Sequence, residues 1–300
     1  MSRSKKLKLL IPFIILIFVG AFAKHRLFDK KVQSGTLSSK QMDEISGIAA
    51  SSISPNIYYV HNDSGDTSRF FAITPDGKLK TTIYFNGTHK PLGVRDCEDI
   101  AVGPGPVKGK SYVYIGDIGD NNNWWPFLTI YRIPEKKSWA TDSLSNVVAV
   151  PVNLKYPDGA KDAETLMIDP VEKLLYIVTK RSDTVGVYTA PLNYTANDTL
   201  KLTKRARLFF PGFRPFKWIT GGDISKDGQQ VLLRSYEKVY YWRRQPKEHI
   251  WDTMVRKPEE VPYKPEKQGE AIGFTPDAKG FYTTSEGVFA PIYYYTTPTN

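Results

Sequence analysis

Beyond residue 40 the chain alternates short apolar runs with turn-forming residues, and one run recurs. "EISGIAAS" starts at Glu44, "DCEDIAVGP" at Asp96, "DAETLMIDP" at Asp162, "TGGDISKDG" at Thr220 and "QGEAIGFTPD" at Gln268. Aligned on a central aliphatic residue, these heads put Ile48, Ile100, Leu166, Ile224 and Ile272 in one column. Each head is followed by a second run: "NIYYVHNDSGD", "SYVYIGDIGDN", "LLYIVTKRSD", "QVLLRSYE", "GFYTTSEG". A third run is mostly aromatic: "RFFAITPDG", "LTIYRIP", "VGVYTAP", "KVYYWRR", "PIYYYTT". β-branched and aromatic residues suit a pleated, half-buried surface, so these runs predict strands. Weaker fourth strands are predicted at "KTTIYF", "VVAVPVNL", "KRARLFF" and "EEVPYK". Turn residues such as "TPDG" and "SKDG" separate them. No segment carries helical periodicity over a useful length.

Four short strands repeating roughly every 50 residues predict an all-β fold, a single β-propeller. The heads count five blades, or six if the long second unit with "GDNNNWWPF" hides a degenerate one. The fifth unit reaches Asn300 without a fourth strand, so a strand near "KKVQSGTL" is expected to close the ring from the N-terminal side. A β-sandwich does not account for five similar heads. The propeller is expected to span residues 32–300 with no internal boundary, after a linker at 24–31.

Residues 1–23 begin with a basic head (Arg3, Lys5, Lys6, Lys8), continue in an apolar run from Leu9, and end in "AFA". This is the pattern of a signal peptide. The run is short for a bilayer span, which takes about 20 residues. A cleaved signal, or an uncleaved N-terminal anchor, places the folded part outside the cytoplasm: secreted, periplasmic or membrane-anchored. The membrane is then touched only through this segment.

Composition narrows the function. With 41% hydrophobic and 13% aromatic residues in 300, the chain has material for a sizeable core and is not a disordered composition. The net charge is +10, but Lys and Arg are dispersed and no nucleic-acid-binding motif is present, so nucleic acid is not an expected partner. Cys97 is the only cysteine; it forms no intrachain disulfide and reads as a small packed residue.

The acids run against the bulk charge. Two residues before the aliphatic column stand Ser46, Glu98, Glu164, Gly222 and Glu270; four before it stand Glu44, Asp96, Asp162, Thr220 and Gln268. Side chains two apart on a strand share a face, and the first strand of each propeller blade lines the axis. Glu44, Asp96, Glu98, Asp162, Glu164 and Glu270 are therefore candidate metal ligands around the axis. The ends of the second strands add Asn62, Asp63, Asp66, Asp117, Asp120 and Glu286, with Lys180 and Arg234 as counter-charges. Three readings stay open: a calcium site, since that ion takes six to eight oxygens; a carboxylate pair for acid–base chemistry; and structural ion pairs fixing strand register. "HNDSGD" cannot form a Ser-His-Asp triad from adjacent residues, but His61 and Asp63 are candidate catalytic acid–base groups at the channel mouth. Trp124 and Trp125 sit in a polar loop and could stack on a sugar or a partner.

The set "EISGIA", "HNDSGD", "EDIAVGP", "GDIGDN", "YPDGAKDAET", "GGDIS", "GEAI" and "TTSEG" resembles a group of exported bacterial β-propeller proteins of unassigned function. The resemblance covers the chain from about residue 40 to the end and implies an envelope propeller, with no activity attached. More distantly the acid-lined channel is similar to gluconolactonase, paraoxonase and strictosidine-synthase propellers and to phytase-like esterase propellers, many of which hold calcium. Those tend to have six blades, and none of their catalytic residues is carried over to this chain. The expectation is a calcium-dependent hydrolase of an ester, lactone or phosphoester taking a small-molecule or glycan ligand in the channel or on one face. The alternative is a non-catalytic envelope module that binds a glycan or a protein.

Overall fold

A computed structural model describes residues 32–299. The signal or anchor expected at 1–23 and the linker at 24–31 lie outside the described residues. Among the described residues no helix is long and apolar enough to cross a membrane.

The strands form five separate sheets, so the molecule is a five-bladed β-propeller. From inside outward, blade 1 is Ile45–Ala50, Tyr58–Asn62, Arg69–Ile73 and Leu79–Phe85. Blade 2 is Cys97–Pro104, Ser111–Asp117, Leu128–Pro134 and Val150–Lys155. Blade 3 is Ala163–Asp169, Leu174–Thr179, Thr184–Pro191 and Thr203–Phe209. Blade 4 is Ile219–Ile224, Gln230–Ser235, Val239–Arg243 and Glu259–Val261. Blade 5 takes Gly269–Phe274, Gly280–Ser285 and Pro291–Thr296 from the C-terminal side, and its outer strand is Val32–Thr36. That strand pairs antiparallel with Pro291–Thr296 and shuts the ring, as "KKVQSGTL" led us to expect. Each inner strand packs beside the inner strands of both neighbouring blades.

The apolar side chains form five wedges, each filling the space between adjacent blades. This is why the inner strands do not alternate. Ala163–Asp169 is buried along its whole length because both faces meet a neighbouring blade. The outer strand Thr203–Phe209 is mostly exposed and reads polar.

The length of the second unit is not a sixth blade. Its chain leaves the third strand, crosses to blade 1 and lays Leu144–Val147 in parallel along Leu79–Phe85 before returning. Trp139 on this detour is fully buried, edge-on to Tyr59 and Phe70 of blade 1 at 5.6 and 5.4 Å. Blade 3 does the same, setting Thr199–Lys201 against Val150–Lys155 of blade 2. In blade 4 the equivalent connection is a short helix, Ile250–Val255, that packs on Thr203–Phe209 of blade 3. Three successive blades are thus each strapped to the one before. The seam between blades 5 and 1 is held by backbone bonds from Thr36 and Ser38 to the Asp76–Gly77 turn, at 3.1 and 3.0 Å. A Cβ on Gly77 would lie 2.2 Å from the Thr36 carbonyl oxygen, and its φ is +88°, so the seam requires glycine there.

Candidate metal centre and axial cavity

Every inner strand carries a β-bulge near its start, between Ile45 and Gly47, Cys97 and Asp99, Ala163 and Thr165, Ile219 and Gly221, and Gly269 and Ile272. A bulge inserts an unpaired residue and re-aims its side chain. The bulged residues are Ser46, Glu98, Glu164, Thr220 and, in the wider fifth bulge, Glu270 with Ala271. The column two before the aliphatic is therefore correct in four blades and displaced in the fourth, where Thr220 takes the place given to Gly222. Hydroxyls in this column tie blades together: Ser46 Oγ donates to the Glu98 carbonyl at 2.6 Å and Thr220 Oγ1 to the Gly269 carbonyl at 3.3 Å.

The residue just after each second strand forms another column: Asp63, Ile118, Lys180, Tyr236 and Glu286. In four of the blades its N–H donates to the carbonyl four places before the aliphatic: Asp63 to Glu44, Ile118 to Asp96, Lys180 to Asp162 and Glu286 to Gln268. The repeated backbone bond brings the side chains of both strands to one end of the axis. There a cavity of about 630 Å³ opens, lined by all five blades and including Asp63, Asp96, Glu98, Glu164, Glu270, Glu286, Lys180 and Tyr236. One wall is aromatic, with Phe216 half exposed and Trp218 under the Arg181 guanidinium at 4.9 Å.

The acids fall into two sets. Carboxylate oxygens of Asp63, Asp96 and Glu98 lie within 4.8 Å of one another, and so do those of Asp63, Glu270 and Glu286. Glu98 and Glu270 are buried, each with an Oε2 that has no partner. Glu270 Oε1 accepts from the Tyr236 hydroxyl at 2.8 Å. A Cβ on Gly119 would fall 2.3 Å from both Asp96 Oδ2 and Glu98 Oε1, so only glycine leaves these carboxylates their places. The second set belongs to blade 3, where Glu164 is paired with Lys180 and Asp162 with Arg181. Asp162 also accepts from the Asp120 N–H at 2.9 Å. Lys180 Nζ lies 3.9 Å from Glu270 Oε1 and bridges the two sets.

Crowding in a poorly solvated place shows in the proton affinities. Burial, then the nearby Glu270 and Asp96, push Asp63 up to about 7. Burial and the Asp162 charge push Asp96 up to about 6. Glu98 is driven well above the usual carboxylate range by burial and Asp63, and Glu286 upward by burial and Glu270. Carboxylates held this way exchange a proton for a cation readily. Oxygen-only donors within 4.8 Å of one another can span one ion at the 2.3–2.6 Å bonds of calcium. These acidic residues can hold a metal ion, and the donor set suits a hard one.

Other expected residues lie elsewhere. Glu44 is exposed and outside the clusters. His61 is fully buried, does not line the cavity, and has Nδ1 on the Asn62 carbonyl at 2.7 Å; burial lowers its pKa to about 4, so the ring is neutral. It therefore does not stand at the channel mouth as a base. Arg234 is buried against Glu266 at 3.0 Å, with Ala271 and Thr284 carbonyls accepting from it, and fastens blade 4 to blade 5 instead of screening the acids. Asp99, the third acid in "DCEDIAVGP", is held elsewhere: its carboxylate accepts from the N–H groups of Ile100 and Leu166 and staples blade 2 to blade 3. Trp124 is 73% exposed, while Trp125 lies against Arg95 at 4.8 Å. Tyr236 and Arg181 were not expected at the site. Lining up the residue after each second strand would have found Tyr236; Arg181 follows Lys180 directly.

No protein-family model and no curated protein matches the sequence. Among solved structures, a gluconolactonase of Xanthomonas campestris is similar over 89% of both chains, at 11% identity and a TM-score of 0.47. The propeller of Dos1 is similar over 85% of this chain and 69% of its own, at 12% identity and a TM-score of 0.40. At these values neither likeness assigns a role to any residue here.

Proposed function

We propose that this propeller is an exported, calcium-dependent hydrolase of an ester, lactone or phosphoester, acting in the axial cavity. The carrying observation is the set of carboxylates from blades 1, 2 and 5 that meet beside an open cavity and share, among the described residues, one cation, Lys180, 3.9 Å from Glu270 and already paired with Glu164. Asp63, Asp96, Glu98, Glu270 and Glu286 are the ligand candidates. A bound calcium would supply Lewis-acid polarisation of the substrate oxygen and a more acidic water. Glu164 and Asp162 hold Lys180 and Arg181 in place, and these cations face the same cavity, where a developing negative charge on the substrate would meet them. Phe216 and Trp218 offer an apolar wall to the rest of the substrate. Export rests on the basic head and apolar run of residues 1–23.

A non-catalytic module that presents the Asn121–Phe127 loop to a glycan or envelope protein is the second reading, favoured by the exposure of Trp124. One experiment separates the two. Elemental analysis, thermal melting and hydrolysis of an ester, lactone and phosphoester panel are compared before and after chelation. The hydrolase reading expects bound calcium, a lower Tm after EDTA and hydrolysis that calcium restores. A metal-free, EDTA-indifferent protein that is still retained by cell-wall glycan would be the binding module.

A further inference from the structure

We propose that the axial centre holds two hard divalent cations bridged by Asp63, a deepening that rests on the cation-centre reading above. The two carboxylate triads share one residue: Asp63 stands with Asp96 and Glu98 on the blade 2 side, and with Glu270 and Glu286 on the blade 5 side. A carboxylate has two oxygens and can serve two ions at once. Each triad also contains its own unsatisfied acceptor oxygen. Glu98 is 3% exposed and Glu270 2% exposed, both line the cavity, and the Oε2 of each has no hydrogen-bond partner. A buried charged oxygen without a partner is costly, and here there is one in each half, where a single ion would satisfy one half only.

Charge leads to the same number. Fully ionised, as ligation of a metal requires, the two triads hold five carboxylates, and Lys180, 3.9 Å from Glu270, is already paired with Glu164. One divalent cation would leave three negative charges in a half-enclosed cavity, while two leave one, which a single proton can neutralise. A donor set of carboxylate oxygens suits hard ions such as calcium or magnesium.

The test is a metal count on the full chain. The protein is stripped with EDTA, dialysed and titrated calorimetrically with calcium chloride, with elemental analysis after desalting. The wild type is expected to bind two calcium ions per chain. Glu286→Gln and Asp96→Asn are each expected to keep one, on opposite sides, so the double variant keeps none. Asp63→Asn is expected to weaken both sites by at least about tenfold, because it removes a charged ligand from each. A wild-type count of one overturns the two-ion proposal and leaves the hydrolase reading standing; a count of zero removes both. The wild-type count decides even if a variant fails to fold. A double variant that still binds one ion would also overturn the assignment.

Discussion

Blade 3 and blades 1, 2 and 5 bring acids to the same cavity and leave them in opposite electrical states. In blade 3 the place after the second strand is Lys180, followed by Arg181, and both acids of that blade are neutralised within their own sheet. In blades 1 and 5 the same place is Asp63 and Glu286, so the acids of the inner strands meet further acids instead of cations. The backbone geometry is shared, down to the N–H bond that anchors this residue. In blade 2 the place is the neutral Ile118, so it is the presence or absence of a cation there that goes with an acidic strand head becoming an ion pair or part of a charged centre.

The most forceful way to break this contrast is to give blade 3 the state of the others. In Lys180→Met, Glu164 stays buried and loses its cation. Breaking a buried pair by removing one partner costs about 3 kcal/mol or more, so urea melts of the metal-free variant should show a loss of that order. Calcium, offered one more free carboxylate, should recover part of it. A variant as stable as the parent without calcium would mean that the two halves do not differ in this way.

Acidity sharpens the contrast next. Asp63 and Asp96 keep their protons up to about 7 and 6 when folded, against 3.8 for an unburied Asp. The folded state thus binds more protons than the unfolded one between about pH 4 and 7, and its stability falls as pH rises through that window. Buried Asp223, also pushed up to about 7, adds to the fall. His61 works the other way, because its folded pKa of about 4 lies below the usual 6.5 and its contribution is lost as pH drops. The metal-free Tm should therefore decline by a few degrees from pH 5 to 7.5, most clearly in His61→Gln. Calcium affinity should rise over the same range, by up to about tenfold per pH unit for each proton displaced. An affinity indifferent to pH would place the ion away from Asp63.

The smallest effect is expected at Asp162. Its carboxylate is spent on Arg181 and the Asp120 N–H. Asp162→Asn should change calcium affinity less than about threefold, the residual Coulomb effect of a charge outside the ligand set. A loss of a hundredfold in calorimetry would place Asp162 among the ligands.

The sequence made the ring legible because the blades repeat a column of aliphatic residues, Ile48 to Ile272, and the wedges between blades demand them. It made the acids legible as a group, because Glu98, Glu164 and Glu270 share a position set by the pleat. It hid which acids are free. Pairing depends on Lys180 and Arg181 from the adjacent strand, and strand-to-strand distance is not written in a one-dimensional pattern. The blade 4 register was missed because Ile224 sits four residues past its bulge and not two, so alignment on the aliphatic slid past Thr220. Leu144–Val147 and Thr199–Lys201 are too short and too exposed for period-two alternation to reveal them.

Closure of blade 5 sets an order of events. Val32–Thr36 is made before every other strand of the ring, and its partner Pro291–Thr296 after all of them. Until that partner emerges, the N-terminal strand has nowhere to dock and the lip of blade 5 stays an open edge. A ring wired in this way cannot close before Pro291–Thr296 has emerged, and remains threadable for as long as the two strands are kept apart.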